Sequence, residues 1–167
     1  MSRLDSFLLR IEAQRACLGW AVEAVRALPG VALELGLGNG RTYDHLRELL
    51  GSSRELFAFD RQVGAHPDCI PDAAHMIVGD FRDTLPQFAT SWRGRVALAH
   101  ADAGSANKAA SEAQARALVS LLDPLLMPGA VIASDQDMAP EVQGWAEQTL
   151  PDGLPRGRYF LYRKPRV

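Results

Sequence analysis

The sequence is poor in cysteine and lysine, and it has no long hydrophobic run. Cys17 and Cys69 are its 2 cysteines; their spacing does not suit a metal site, so we expect unpaired thiols in a reducing compartment. No apolar run approaches the roughly 20 residues that span a bilayer. The N-terminal segment lacks the apolar core of a signal peptide, since Asp5 and Glu12 interrupt it. We therefore expect a cytoplasmic protein without a membrane partner.

An excess of charge of one sign is also absent. The 18 basic and 20 acidic residues give a net charge of -2 and a pI near 6.1, so a nucleic acid is not the expected partner. Lys108 and Lys164 are the only lysines, and the arginine-rich remainder would suit anionic substrates. Hydrophobic and charged fractions of 47% and 23% are typical of a globular domain, and we expect one domain over residues 1–167.

Short apolar runs alternate with segments of helical spacing along most of the chain. An amphipathic helix is predicted over Leu4–Leu28, ended by Pro29-Gly30. Further helices are predicted over Arg41–Leu50, Lys108–Leu122 and Pro140–Leu150. Strands are predicted over Val31–Leu35, Leu56–Phe59, His75–Val78, Arg95–Ala99, Ala130–Ala133 and Arg158–Tyr162. This alternation predicts a doubly wound α/β fold, with a mostly parallel sheet, helices on both faces and an N-terminal helix.

A glycine-rich turn, Glu34-Leu35-Gly36-Leu37-Gly38-Asn39-Gly40, follows the first predicted strand. Ligands of such sheets bind beyond the carboxyl ends of the strands, and glycines allow the backbone to approach a ligand closely. The spacing differs from the dinucleotide fingerprint, whose third glycine comes three residues after the second. Glu34 would suit a positive or hydrogen-donating group better than a pyrophosphate. The alternative is a strand-to-helix turn in which the glycines only avoid steric clashes and bind no ligand.

Acidic residues follow the other predicted strands of the same edge. Asp60 ends the second strand, where an acceptor can hold the two hydroxyls of a ribose. Gly79-Asp80-Phe81 follows the third strand and offers a carboxylate and an aromatic face to an adenine, and Asp102 follows the fourth. Each carboxylate alone is more often a helix cap or turn residue. Together with Glu34, the set favours a nucleoside-containing ligand.

This set resembles the class I S-adenosylmethionine-dependent methyltransferases, from about Val31 to Asp137. The resemblance implies a Rossmann-like methyltransferase fold and S-adenosylmethionine as the cofactor, with the N-terminal helix covering the site. The residues that it implies for cofactor binding are Glu34, Gly36, Leu37, Gly38 and Gly40 at the methionine end, Asp60 and Arg61 at the ribose, Gly79, Asp80 and Phe81 at the adenine, and Asp102.

Two features depart from that family. Its sheet usually ends in a two-stranded antiparallel hairpin, whereas only one strand is predicted after Gln136. The chain also lacks the insertions that build an acceptor pocket, so we expect either a small-molecule acceptor or a neighbouring subunit that completes the pocket. A homo-oligomer is therefore expected. The apolar stripe of the first helix and the aromatic residues Trp145, Tyr159, Phe160 and Tyr162 are its candidate interface, and the alternative is that they belong to the core of the monomer.

Methyl transfer needs a general base only when the nucleophile must lose a proton. The candidates for catalysis are Asp102 and His100, although a histidine at the end of an apolar strand is more often structural. Asp102 and the Asp135-Gln136 pair could share a divalent cation, as in metal-dependent O-methyltransferases, but no metal is predicted. A protein that binds the donor without turnover and a nucleotide-binding oxidoreductase remain the alternative functions.

Overall fold

The computed structural model describes residues 1–104, 107–139, 141–151 and 153–166. In this part of the chain the helices are α1 Arg3–Ala24, α2 Arg41–Leu50, α3 Phe81–Trp92 and α4 Lys108–Leu122. The strands are β1 Val31–Leu35, β2 Leu56–Asp60, β3 Met76–Val78, β4 Val96–Ala101, β5 Leu126–Ser134, β6 Ala146–Glu147 and β7 Phe160–Arg163. None of the described helices is long and apolar enough to cross a membrane.

All of these strands form one sheet in the order β3-β2-β1-β4-β5-β7-β6. Strands β1 to β5 pair in parallel, and β7 runs antiparallel between β5 and β6. The strand order reverses between β1 and β4, and a doubly wound sheet binds its ligands at the carboxyl ends beside such a reversal. The predicted fold class is therefore confirmed, and its topology points to the ends of β1 and β4.

Helices cover both faces of the sheet, which explains why the central strands read as continuous apolar runs. Residues of α1 and α2 form one core layer with Ala32, Leu98 and Val131 of the sheet. Residues of α3 and α4 form the other layer with Leu33, Phe59 and Ile132. All five residues of β1 and all six of β4 are buried, so the turns that follow these two strands start from a rigid base.

Polar groups at both ends of α1 set its position. Its first turn carries a capping box, in which Ser2 and Asp5 bind each other's backbone N–H at 3.0 Å. At the other end the Arg54 guanidinium donates to the carbonyls of Val25 at 3.0 Å and of Leu28 and Gly30 at 2.7 Å. These bonds satisfy carbonyls that a helix end leaves free, so α1 is anchored to the chain that begins β1.

The predicted helix over Pro140–Leu150 is wrong where the chain is described; Pro140 itself lies outside the described residues. Gly144 adopts a positive φ of 78°, and the short strand β6 follows it. Ala146 pairs with Arg163, and the N–H of Gln148 donates to Leu161 at 2.8 Å. Pairing of the exposed edge of β7 thus outweighs local helical spacing. The expectation of a single strand after Gln136 is wrong for the same reason, since β6 and β7 form the antiparallel end of the sheet.

Helix α3 was not assigned from the sequence, although its pattern was visible. Phe81, Leu85, Phe88 and Trp92 recur at helical spacing and pack on the sheet, with Phe57 in ring contact with Phe88 and Trp92. Pro86 lies inside the helix and obscures this pattern. Asp80 begins the helix as its N-cap, which connects α3 to the predicted binding edge.

Candidate active site

A cavity of about 300 Å³ lies where the sheet order reverses. Its walls come from α1, from the glycine-rich turn after β1, from the first turns of α2 and from Asp102 after β4. The lining residues are Phe7, Arg10, Ile11, Gln14, Arg15, Leu18, Gly36, Leu37, Gly38, Asn39, Arg41, Thr42, His45 and Asp102. Helix α1 thus forms one complete side of the cavity, as the resemblance implied for an N-terminal helix.

The three glycines of the turn serve different purposes. A Cβ at Gly36 would lie 2.6 Å from the carbonyl oxygen of Asp102, and one at Gly40 would lie 2.5 Å from the Cβ of Cys69. Both glycines also have positive φ, so the packing of the turn itself requires them. A Cβ at Gly38 would meet no atom within 4 Å. Its missing side chain therefore leaves open space on the wall of the cavity, where a ligand can touch the backbone.

Asp60 at the end of β2 is joined to this turn. One carboxylate oxygen accepts a hydrogen bond from the N–H of Gly38 at 2.9 Å, and the other accepts from the N–H of Arg61 at 2.7 Å. These bonds orient the carboxylate, and each oxygen keeps a further lone pair. The arrangement fits a carboxylate that accepts hydrogen bonds from vicinal hydroxyls beside Gly38, so the residues present fit an adenosyl ligand.

The residues predicted to contact an adenine lie beside Asp60 and outside the lining of the cavity. Asp80 accepts from the N–H of Arg82 at 3.0 Å and forms a 2.8 Å ion pair with Arg61. The bond from Arg82, more than the pair with Arg61, lowers the pKa of Asp80. The N–H of Gly79 donates to the carbonyl of Asp60 at 2.9 Å. Phe81 packs against the core. The bond between Gly79 and Asp60 joins these residues to the end of β2, and together they form a strip beside the cavity.

Glu34 and His100 lie beneath the cavity rather than in its lining. They are neighbours in the register of β1 and β4, and both are fully buried. His100 Nδ1 is 2.6 Å from one oxygen of Glu34, whose other oxygen accepts from the hydroxyl of Thr42. Burial lowers the pKa of His100. The charge of Glu34 and its hydrogen bond raise that pKa, and the net shift is upward. His100 Nε2 is also hydrogen-bonded to the hydroxyl of Tyr159.

Asp102 is the one carboxylate among the described lining residues. It accepts a hydrogen bond from the side chain of Gln14 at 2.6 Å, and the guanidinium of Arg10 lies 3.8 Å away. Asp135 follows β5, next to β4, and accepts a hydrogen bond from the side chain of Gln136 at 2.8 Å. Burial, followed by the charge of Asp102, raises the pKa of Asp135 to about 6. Burial and the negative charge of Asp102 both disfavour the ionised form of Asp135, so Asp135 holds its proton to a higher pH than an ordinary aspartate.

The predicted residues thus fall into four groups. Gly36, Leu37, Gly38 and Asp102 line the cavity; Glu34 and His100 lie buried beneath it; Gly40 packs against Cys69 at the start of α2; and Asp60, Arg61, Gly79, Asp80 and Phe81 form a strip beside the cavity. No group of three or more residues suited to hold a metal ion occurs among the described residues.

Sequence reasoning expected α1 to cover the site but named none of its residues as site residues, and it missed the role of Tyr159. Gln14 lies three residues after Ile11 and four before Leu18, so a buried polar residue in an apolar stripe was a visible signal. Tyr159 carried no such signal, because its partner His100 is 59 residues away. Tyr159 and Tyr162 are each 1% exposed, so of the two alternatives, core and interface, these two residues belong to the core.

The sheet order, the glycine-rich turn after β1 and the acid after β2 define a Rossmann-like methyltransferase domain. A family model described as S-adenosyl-L-methionine methyltransferase matches residues 1–164. The chain therefore belongs to this family of S-adenosylmethionine-dependent methyltransferases, whose cofactor is S-adenosylmethionine. Neither the fold nor the comparisons support a nucleotide-binding oxidoreductase or a donor-binding protein without turnover.

Solved structures agree with this membership. A structure described as an S-adenosyl-L-methionine methyl transferase from Silicibacter pomeroyi DSS-3 is 41% identical, covers 98% of this chain and 99% of its own, and has a TM-score of 0.92. A Corynebacterium glutamicum protein shares the fold at 13% identity, with 93% and 81% coverage and a TM-score of 0.62. Aeropyrum pernix fibrillarin, crystallised with natively bound S-adenosyl-L-methionine, shares it at 18% identity, with 90% and 75% coverage and a TM-score of 0.58. No curated protein matches the chain.

Proposed function

We propose that this protein transfers a methyl group from S-adenosylmethionine to a small-molecule acceptor in the cavity between α1 and the glycine-rich turn. When bound, S-adenosylmethionine supplies an electrophilic methyl group on a positively charged sulfur. The observation that carries the proposal is the open space at Gly38, next to the oriented carboxylate of Asp60. A volume of about 300 Å³ lies at the small end of ligand sites and favours a small acceptor.

In this proposal the donor-binding residues act in three ways. The backbone of Gly36, Leu37 and Gly38 contacts the methionine end, and Gly40 keeps the turn tight. Asp60 accepts hydrogen bonds from the ribose hydroxyls. The strip formed by Arg61, Gly79, Asp80 and Phe81 holds the adenine. Glu34 supports the turn from below through its hydrogen bond with Thr42, because a buried carboxylate with both oxygens bonded cannot also reach into the cavity.

Asp102 is the proposed proton acceptor, since it is the carboxylate of the described cavity wall. The hydrogen bond from Gln14 fixes one of its oxygens and leaves lone pairs for the nucleophile of an acceptor. Fully buried His100 acts as a positioning residue that holds Glu34 and Tyr159 in place. Helix α1 forms the wall that keeps water from the acceptor, and the geometry of an in-line transfer benefits from that exclusion.

A matched pair of glycine substitutions tests the proposed donor site. Gly38→Ala meets no protein atom and suffers only the strain of its positive φ, about 1–2 kcal/mol. We expect it to fold while its affinity for S-adenosylmethionine and S-adenosylhomocysteine falls about tenfold or more, measured by calorimetry. Gly36→Ala, which clashes with the carbonyl of Asp102, should instead lower the melting temperature strongly. Unchanged donor affinity in folded Gly38→Ala would place the donor elsewhere.

A homo-oligomer remains part of the proposal, with the start of α1 as its contact surface. Met1, Leu4, Phe7 and Leu8 are 81%, 66%, 46% and 50% exposed, a cluster of apolar side chains beside the cavity. Sedimentation at micromolar concentration should give a species larger than 18.2 kDa, and Leu4→Glu with Leu8→Glu should dissociate it. A monomer with full donor binding and methyl transfer would remove the need for a partner subunit.

A further inference from the structure

The cavity wall is strongly cationic in a chain whose net charge is -2. Arg10, Arg15 and Arg41 line it, whereas Asp102 is the only carboxylate among its described lining residues. Asp102 is already engaged, because it accepts from Gln14 at 2.6 Å and lies 3.8 Å from Arg10. The positive charges of the other two arginines are therefore not neutralised within the wall.

Arg15 and Arg41 differ from arginines elsewhere in the molecule whose side chains are held by hydrogen bonds. Arg54 and Arg163 use their guanidinium groups to bind backbone carbonyls, and such bonds explain their positions. Neither Arg15 nor Arg41 has a side-chain hydrogen bond or an ion pair among the residues that the structure describes. Among the described lining residues the other titratable side chains are Arg10, His45 and Asp102. Glu12 and Asp44 lie three residues from Arg15 and Arg41 on the same helices but do not line the cavity, and Asp44 is paired with Arg47.

The rest of the wall is apolar. Phe7, Ile11 and Leu18 of α1 face the cavity together with Leu37 of the turn. Such surfaces favour an apolar or aromatic body over a sugar or a polyamine. A cavity of about 300 Å³ limits that body to a small molecule. Charge and apolar surface are therefore combined in one compartment, the usual requirement for binding an amphiphilic small acid.

We propose, building on the proposed function, that the methyl acceptor is a small molecule with an apolar body and an oxyacid group that Arg15 and Arg41 bind. A carboxylate or phosphate matches the planar guanidinium, which can donate two parallel hydrogen bonds to it. The amino-acid carboxylate of the donor has the same chemistry. The experiment must therefore separate binding of the acceptor's acid from binding of the donor's acid.

The test uses protein saturated with S-adenosylhomocysteine, so that the donor carboxylate already occupies its own site. Benzoate and phenyl phosphate are titrated by calorimetry against benzamide, which has the ring of benzoate without its charge. We expect at least one of the two anions to bind about tenfold more tightly than benzamide, and added salt to reduce this preference. Arg15→Gln with Arg41→Gln should abolish the preference, whereas Arg116→Gln on α4, outside the cavity, should leave it unchanged.

The outcomes are distinct. Equal binding of both anions and benzamide, or an anion preference that survives the double substitution, overturns the proposal. A double variant that loses affinity for S-adenosylhomocysteine about tenfold, while wild-type protein shows no anion preference, assigns the arginines to the donor and also overturns it. Failure of the wild-type protein to bind either S-adenosylmethionine or S-adenosylhomocysteine would instead refute the underlying methyltransferase site. Both arginines are exposed, so the melting temperature of the double variant should match that of the wild type.

Discussion

The carboxyl ends of the parallel strands form the binding edge of the sheet, and its two halves place acidic side chains in different surroundings. Those of the outer half, after β2 and β3, are accessible, whereas the one in the central half, at β1 and β4, is buried. After β2 and β3, Asp60 and Asp80 remain accessible and bind mainly backbone N–H groups. At the ends of β1 and β4, Glu34 and His100 are fully buried and bind each other. A carboxylate at the end of a parallel strand can therefore be a ligand-facing group or an internal support, depending on what covers that strand.

The coverage of the strands explains the difference. Helix α1 and the segment leading into β7 close over the ends of β1 and β4, and Tyr159 reaches His100 from that segment. At the ends of β2 and β3, Asp80 caps α3 and pairs with Arg61, whose side chain is 73% exposed. The central half is thus a rigid base for the glycine-rich turn, and the outer half keeps free lone pairs for a ligand.

The largest expected effect comes from breaking the buried half. His100→Leu removes the partner of Glu34 and leaves a carboxylate at 0% exposure with only Thr42 to bind it. Loss of one member of a buried pair costs about 3–5 kcal/mol, and we expect a decrease of this size in the free energy of unfolding by urea. His45→Leu, on the half-buried wall of the cavity, should change stability by less than about 0.5 kcal/mol. Equal losses in the two variants would contradict the comparison.

In the outer half, substitution should affect binding rather than folding. Asp60→Asn keeps the shape of the side chain but loses charge-assisted hydrogen bonds of about 1.5–3 kcal/mol each. We expect the affinity for S-adenosylhomocysteine to fall about tenfold to a hundredfold in calorimetry, with little change in melting temperature. Asp44→Asn, an exposed carboxylate on α2 paired with Arg47, is the matched control. Retained affinity in Asp60→Asn would show that this carboxylate does not hold the ribose.

Asp135 is less buried than Glu34 and His100. The effect of its substitution on stability is expected to depend on pH. Its folded-state pKa is raised to about 6, above the ordinary value of 3.8, by burial and by the charge of Asp102, while Gln136 and His100 act in the opposite direction. An acid with a raised pKa destabilises the folded state when it ionises, so the penalty is absent below about pH 4 and complete above about pH 6.

Asp135→Asn should therefore be more stable than the wild type by about 1–2 kcal/mol above pH 6, because an amide does not ionise. The gain should disappear near pH 4, where the aspartic acid is protonated in both states. Urea unfolding at both pH values measures this difference. A gain that is the same at both pH values, or a loss above pH 6, would show that the pKa of Asp135 is not raised in the folded protein.

The local sequence pattern was sufficient to predict the strands, helices and turn that position the site. The strands that became β1, β2 and β4, the helices α2 and α4 and the glycine-rich turn were all readable, because periodicity and glycine act over a few residues. The acid at the end of each strand followed from the same logic, since parallel strands bring their carboxyl ends to one edge. The family and its cofactor could be inferred from those residues alone.

Tertiary structure decided which of those acids are accessible. Burial of Glu34 and His100 depends on Tyr159, 59 residues further along the chain, and the orientation of Asp102 depends on Gln14, 88 residues before it. Strand β6 exists because the edge of β7 needs hydrogen-bond partners, although its own residues have helical spacing. Contacts between distant segments leave no periodic pattern in the sequence, and the free energy of burying a charge is fixed only when the chain has folded around it.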